Sequence, residues 1–392
     1  MRREEPGTLR GSAANHWRFY RTVYFESQTK RITRLQSDPR QGYQGLKSFA
    51  WLEEKLTSCA EALDVSLRSV RKRIEYYRIT IRSQQSLLWH MERPHFSPRE
   101  IGVLIHLFVR GRSASIPVIW QSTCVEEWNL NLNRAIHEDI LPEIEAAVVG
   151  EALKEAVKLP LLLDPWLASQ LIHECIGHSS EADNYLDYML PHGYRLGYQW
   201  TTYPLDVYDD PTLPGHRASY EMDHEGERAR RVQLVKQGIW NDLLHNRETQ
   251  KRCQAPGAGH GRRTPDGEKT LPRMSVTYAD QGNWTFKQLV EGIEHGIYCI
   301  GTWGGGSLGL NFIIRPAYGR IIRNGRLTDE IVRRFDIKGN KMDVMMKVEK
   351  LSNELRFYNP VFGCDKNGQN NLPVTLGSPH ILLQPFTIHP VS

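Results

Sequence analysis

LIHECIGHSS, residues 171–180, puts two histidines and a glutamate at the end of an apolar stretch. His173 and Glu174 are adjacent, and His178 follows five positions after His173. A spacing of four would set both imidazoles on one helical face, about 40° apart. A spacing of five opens the angle to roughly 140° on an ideal helix. Two such rings share one ion only if the backbone leaves α-helical geometry. Gly177 supplies a means: it ends the helix, or permits a π-type widening that swings His178 back toward His173. Two histidines are too few for a catalytic zinc, which takes three protein ligands and a water. Glu181 and Asp183 lie close by, as a third ligand or as carboxylates that orient a histidine. Cys364, Cys299 and His380 are distant candidates.

Upstream, "PLLL" (160–163) reads as a short apolar strand that leads into Asp164-Pro165. Asp is a good N-cap and Pro suits a first helical turn. The helix runs on through Trp166, Leu167, Leu171, Ile172, Cys175 and Ile176, so its apolar face is expected beneath a sheet. Beyond residue 195, short strand-like segments alternate with Gly/Pro turns, interrupted by a helix over 285–296. The second half of the chain, 155–392, is therefore expected to be a β-rich domain carrying the histidine helix.

The N-terminal half reads differently. Residues 46–63 have helical spacing. Three β-like runs follow, at 64–82, 86–93 and 100–112, with turn formers at 94–98 between the last two. Residues 131–158 read as helical with a break at Pro142. The expectation is an α+β domain over 46–150, hence an α+β chain overall. Residues 1–45 carry nine Lys/Arg against four Asp/Glu and are read as a basic, partly disordered arm.

The chain has 392 residues, 40% hydrophobic and 24% charged, which suits a globular protein with a sizeable core. It has no apolar run long enough for a transmembrane helix and no secretory h-region at its start, so no membrane association and a cytoplasmic location are expected. No nucleic-acid motif accompanies the mild +5 charge, so no nucleic-acid partner is expected. Six cysteines without C-x-x-C pairs argue against a disulfide framework.

Several collinear blocks carry a more specific signal. "HECIGHSSEAD" resembles the H-E-A-x-G-H-x-x-E-x-D segment of the TldD/PmbA (TldD/TldE) metallopeptidases. "DDPTLPGHRASYEMDHEGERARRVQLVKQGIWNDLLHNRET" is similar to that family's D-D-G-T-L-P-G … H-D-R block. "LPRMSVTY", "GIYCIGTWGGGS" and "FGCDKNGQNNLPVTLGSPHILL" resemble three further blocks, so the likeness spans about residues 155–384. Cys175 stands where the family has Ala, and His245-Asn246-Arg247 where it has H-D-R.

The resemblance implies a zinc ion held by His173, His178 and Cys364, with Glu174 as general base and acid. It implies a cytoplasmic peptidase acting on unfolded or leader-bearing peptides, including precursors of peptide natural products. It also implies a heterodimer with a similar, metal-free TldE/PmbA-like subunit, a homodimer being the alternative. A non-proteolytic tailoring enzyme on the same site, with iron or copper, is the rival reading. Gly304, Gly305 and Gly306 in "GTWGGGSLG" lack the Lys-Ser/Thr of a phosphate loop. Beside a metal site they let a peptide backbone come close, and a strand edge there would hold an extended substrate by main-chain hydrogen bonds. Arg217, Asp223 and Arg247 lie in matched blocks, either orienting the site or bridging charges.

Overall fold

The computed structural model describes residues 15–29, 31–37, 49–68, 73–90, 93–96, 100–111, 116–122, 134, 136–264, 268–360 and 362–391. The chain is α+β, with a sheet-rich C-terminal part, as the sequence leads one to expect.

The N-terminal part is one antiparallel sheet with a helix packed on it. The strands are β1 (Asn15–Glu26), β2 (Arg31–Ser37), β3 (Ile74–His90), β4 (Arg93–Phe96), β5 (Glu100–Val109) and β6 (Ile116–Ser122), in the order β2-β1-β3-β5-β6 with β4 against β3. Ile79 and Ile81 of β3 and Ile101, Val103, Ile105 and Leu107 of β5 are buried in period-2 alternation. Helix α1 (Phe49–Arg68) covers that face with Leu56, Cys59, Ala60, Leu63 and Leu67, all 0–1% exposed.

This corrects three sequence expectations. Residues 15–26 and 31–37 are paired strands, so that part of the basic segment is not an arm; residues 1–14 and 38–48 lie outside the described residues. Residues 64–68 continue α1 instead of starting a strand. Leu67 extends the apolar stripe, and Asp64 bonds Arg68 one turn on at 2.6 Å. Residues 94–96, read as turn, belong to a strand (Arg93–Phe96) that pairs with β3, because Pro94 sits on a short edge strand, where a missing N–H is tolerated.

A π-turn (Ile136–Ile140) runs straight into an α-helix (Leu141–Val149). Pro142 removes one N–H bond, and the helix changes from π to α just before it, so the chain stays helical through Pro142 instead of breaking there. The helix stops at Gly150, not 158. Glu151–Ala152 and Val157–Leu163 are strands. Residues 131–133 and 135 are outside the described residues.

The C-terminal part holds two large sheets. The ten-stranded one begins at an edge strand, Gly305–Leu308, followed by Asn311–Ile314, Phe335–Asn340, Ile381–Pro390, Val157–Leu163 and His295–Ile300. The six-stranded one includes Val276–Ala279, Thr375–Ser378 and Arg356–Tyr358. The site helix (Pro165–Ile172) packs between the two, with contacts to strands of both sheets. Asp164 caps it as expected, accepting from Leu167 N at 2.8 Å, and also accepts from Gly301 N at 2.8 Å. Leu167, Ala168, Leu171, Ile172, Cys175 and Ile176 are wholly buried. The helix expected at 285–296 is shorter, Phe286–Glu291, with a Thr285/Gln288 capping box.

The helix Leu141–Val149 joins the two parts. Glu143 accepts from Trp303 Nε1 at 3.1 Å. Burial raises its carboxyl to about 7 against the Trp303 bond and Arg333, with Asp139 and Asp164 adding to the rise. A raised folded pKa means stability that is full below the unfolded value of 4.5 and is lost as pH climbs through about 7. Wild type is therefore expected to lose about 2–3 kcal/mol relative to Glu143→Gln between pH 5 and pH 8. Urea unfolding of both proteins at the two pH values measures this; parallel profiles would refute it.

A buried His-His-Cys cluster beside a free strand edge

Residues His173–Gly177 form a π-turn, closed by His178 N donating to His173 O. This is the widening that Gly177 allows. It brings the imidazole rings of His173 and His178 to 4.8 Å between centroids, with planes at 78°. A Cβ at position 177 would lie 2.0 Å from Met274 Sδ, so any larger residue there requires the buried Met274 side chain to move.

Cys364 completes the cluster from the opposite side. It begins a two-stranded hairpin, Cys364–Lys366 with Gln369–Leu372, turned by Asn367 and Gly368 at φ 48° and 78°. Positive φ at both turn residues is the Asn-Gly hairpin signature. Arg273 Nη2 anchors this strand by donating to Cys364 O at 2.7 Å. Cys364 Sγ lies 3.4 Å from His178 Nε2. One ligand atom from each of His173, His178 and Cys364 can be chosen so that all lie within 4.8 Å of one another.

Two imidazoles and a thiol suit a borderline-soft cation. Two ligands of one tetrahedral zinc stand about 3.5 Å apart, given Zn–N and Zn–S lengths of ~2.0–2.3 Å; the His178–Cys364 separation matches. Burial alone would raise the Cys364 thiol, but His178, Arg273 and His173 outweigh it and hold the thiol well below its ordinary value. Burial would lower His178, while Cys364 and Glu181 outweigh that and raise it to about 10. Both shifts favour a thiolate at Cys364, the form in which a cysteine ligates a cation.

Glu174 faces the same space. Gln170 Nε2, one turn earlier, donates to its Oε1 at 2.7 Å. Its Oε2 is buried without a hydrogen-bond partner and lies 3.9 Å from His178 Nε2.

The two nearby carboxylates have separate positions. Glu181 Oε2 accepts from His178 Nδ1 at 2.8 Å, which turns Nε2 toward Cys364. Burial would raise Glu181, but Lys366, His178 and Arg273 hold it far below the usual range. Asp183 does not reach a histidine; it takes Lys366 Nζ at 2.7 Å. Lys366 also reaches Glu181 at 3.0 Å, linking the hairpin to the histidine segment. Cys299 lies in a paired central strand, and His380 bonds Ser352 and Tyr298, so neither joins the cluster. Asp223 accepts from Glu225 N, Glu227 N and Gly261 N and holds a turn; exposed Arg247 pairs with Glu227; Arg217 donates to Pro360 O. Cys175 is a buried thiol pushed up by burial.

A cavity of about 520 Å³ opens over the cluster, lined on one side by Gly304, Gly305 and Gly306. Gly304 has φ 113°, and a Cβ on Gly305 would meet Ile313 O at 2.9 Å and Gln170 Cγ at 3.1 Å. Strand Gly305–Leu308 pairs only with Asn311–Ile314 among the described residues, leaving its other edge to the cavity. Gln170, Lys341 and Lys366 line the cavity too and were not read from the sequence. Gln170 had a signal, its i, i+4 spacing to Glu174; for the lysines only the fold brings them in.

A family profile described as the PmbA/TldA metallopeptidase C-terminal domain matches residues 156–389, more than half of the chain. A metalloprotease of Methanocaldococcus jannaschii is 35% identical over 222 residues, covering 54% of this chain and 47% of that protein. A metalloprotease of Synechocystis is 31% identical over 235 residues, 58% of this chain and 49% of that protein. A zinc metalloprotease TldD homolog of Saccharolobus solfataricus is 26% identical over 259 residues, 64% and 56%. The chain spans about half the length of the curated relatives it matches. Among solved structures, a proposed DNA gyrase modulator from Thermotoga maritima superposes with TM-score 0.66 at 15% identity, covering 96% of both chains. TldE from Thermococcus kodakarensis superposes with TM-score 0.61 at 13% identity, again covering 96% of both. These two likenesses concern the fold.

Proposed function

The chain belongs to the PmbA/TldA metallopeptidase family, and from that premise we propose that it is a zinc-dependent peptidase with His173, His178 and Cys364 as ligands and Glu174 as general base. The observation that carries this reading is the buried donor trio with an unpaired carboxylate oxygen beside it. A zinc ion held there would polarise the scissile carbonyl and lower the pKa of the attacking water.

The chain's own groups do the rest. Gln170 fixes one oxygen of Glu174, leaving Oε2 to take a proton from the water and pass it to the leaving amine. Glu181 holds the His178 ring by its Nδ1–H, and Asp183 balances Lys366. The open edge of Gly305–Leu308 pairs with the main chain of an extended peptide, with Gly304–Gly306 letting it approach. Recognition through backbone is indifferent to sequence, which suits unfolded or leader-bearing peptides, including natural-product precursors. No helix of the described residues is long and apolar enough to cross a membrane. We place the protein in the cytoplasm, paired with a metal-free TldE/PmbA-like subunit; relatives named TldD homologs and the TldE-like fold support that pairing.

Hydrolysis of an unstructured peptide should vanish on chelation and return with zinc. Mass spectrometry of the complex isolated with its partner supplies the metal identity. Hydrolysis indifferent to chelation, or native iron or copper without any hydrolysis, would overturn the reading in favour of metal-dependent tailoring.

A further inference from the structure

The cavity holds two lysines in opposite states. Lys366 Nζ is engaged by Asp183 at 2.7 Å, Glu181 at 3.0 Å and Pro272 O at 3.1 Å. Lys341 is 3% exposed and lines the same cavity. Among the described residues the only hydrogen-bond partner of its Nζ is Ser179 Oγ, at 3.4 Å. Ser179 gives its own proton to Cys175 O at 2.6 Å, so it only accepts from the lysine. Its other two donors have no partner among the described residues, so water or a ligand in the cavity has to meet them. Burial pulls its pKa down; Cys175, Glu174 and Glu181 oppose that through space.

Its place along the strand edge indicates what meets it. Asn340 is in register with Asn311, and Lys341 N donates to Leu310 O at 2.9 Å. Lys341 thus lies beside the Gly309-Leu310 turn of the Gly305–Leu308/Asn311–Ile314 hairpin, on the side of Asn311–Ile314 away from the free edge. The other end of the edge strand abuts Gln170. A Cβ on Gly309 would lie 3.9 Å from Tyr188 Cδ1, so Tyr188 stands across the chain just past Leu308. Glu174, Lys341 and residues 304–309 line one cavity, so a peptide laid on this edge has both the carboxylate and the ammonium within reach. The one anionic group every unmodified peptide carries at an end is its terminal carboxylate, whose two oxygens fit the two open donors.

Resting on the peptidase reading above, we propose that Lys341 receives the C-terminal carboxylate of the substrate. The site then takes peptides with free C-termini, lying parallel to Gly305–Leu308 and cut near that end.

The test uses zinc-loaded Glu174→Gln protein, to hold peptide without turnover, and an N-terminally fluorescein-labelled decapeptide of mixed sequence. Anisotropy should give about 10–100-fold tighter binding for the free acid than for its C-terminal amide. Lys341→Met should abolish the difference and Lys341→Arg should keep part of it. Methionine fills a similar buried volume; should the variant not fold, the acid-to-amide ratio of the parent still decides. Equal affinities, or a preference that survives in Lys341→Met, would overturn Lys341's role alone if wild type still hydrolyses the peptide. An amide-capped peptide ending in glutamate that binds as tightly as the free acid would give the lysine to acidic side chains and overturn the terminal assignment. Neither binding nor hydrolysis would overturn both readings.

Discussion

Glu174→Gln should lower kcat/KM for peptide hydrolysis by about 10²–10⁴-fold, the usual contribution of a positioned general base, while leaving bound zinc at wild-type stoichiometry. The two halves of that expectation come from different contacts. Glu174 is outside the three-donor cluster, so the metal does not depend on it. Its Oε1 is tied to Gln170, a bond that an amide oxygen still accepts, so the side chain should keep its place. What the amide cannot do is take a proton at the position of Oε2. That atom is buried, lacks a partner and lies near His178 Nε2. The measurement is a peptide assay beside metal analysis of the same preparation. Hydrolysis within tenfold of wild type would refute the general-base role. Loss of zinc would make Glu174 a ligand or a structural support.

Much of this site could be read before any coordinates, because its parts are local. Asp164-Pro165 is a helix start by capping chemistry alone. The His173–His178 spacing demands a widened turn, and Gly177 is the residue that tolerates one; the π-turn is there. Met274, whose sulfur fills the space a Cβ at residue 177 would need, was not legible, because nothing local connects positions 97 residues apart. The residue pattern also left the third ligand open between near carboxylates and distant thiols; only the family likeness selected Cys364. The N-terminal misreadings have a similar cause. Residues 64–68 alternate plausibly as a strand, and tertiary burial of Leu67 decides for helix. In residues 15–37 the cationic excess, five Lys/Arg against one Glu, suggests a solvated arm, yet the register of β1 with β3 gives the backbone its partners. Composition describes solvation, whereas pairing depends on a neighbour far along the chain.

Cys364→Ser tests the distant half of the site, and its effect should fall mainly on metal affinity. Its neighbours hold Cys364 ready as a thiolate, but a serine hydroxyl in the same place stays protonated and offers zinc a poor ligand. Loss of an outer partner of a ligand costs about 10–100-fold in affinity; loss of the ligand itself should exceed that. The hairpin should survive, since Arg273 holds residue 364 by its carbonyl and the Asn367-Gly368 turn is set by backbone geometry. Competition with a chromogenic chelator gives the affinity. Melting of the metal-free wild type and variant, expected to agree within a few degrees, separates lost ligation from lost folding. Wild-type affinity in Cys364→Ser would mean that sulfur does not bind the ion. The third donor would then have to be a carboxylate, and Glu174 is the one with a buried oxygen still free to serve. In that case Glu174→Gln would lose metal and activity together, so the two variants jointly distinguish a His-His-Cys site with a separate base from a His-Glu-His site without one.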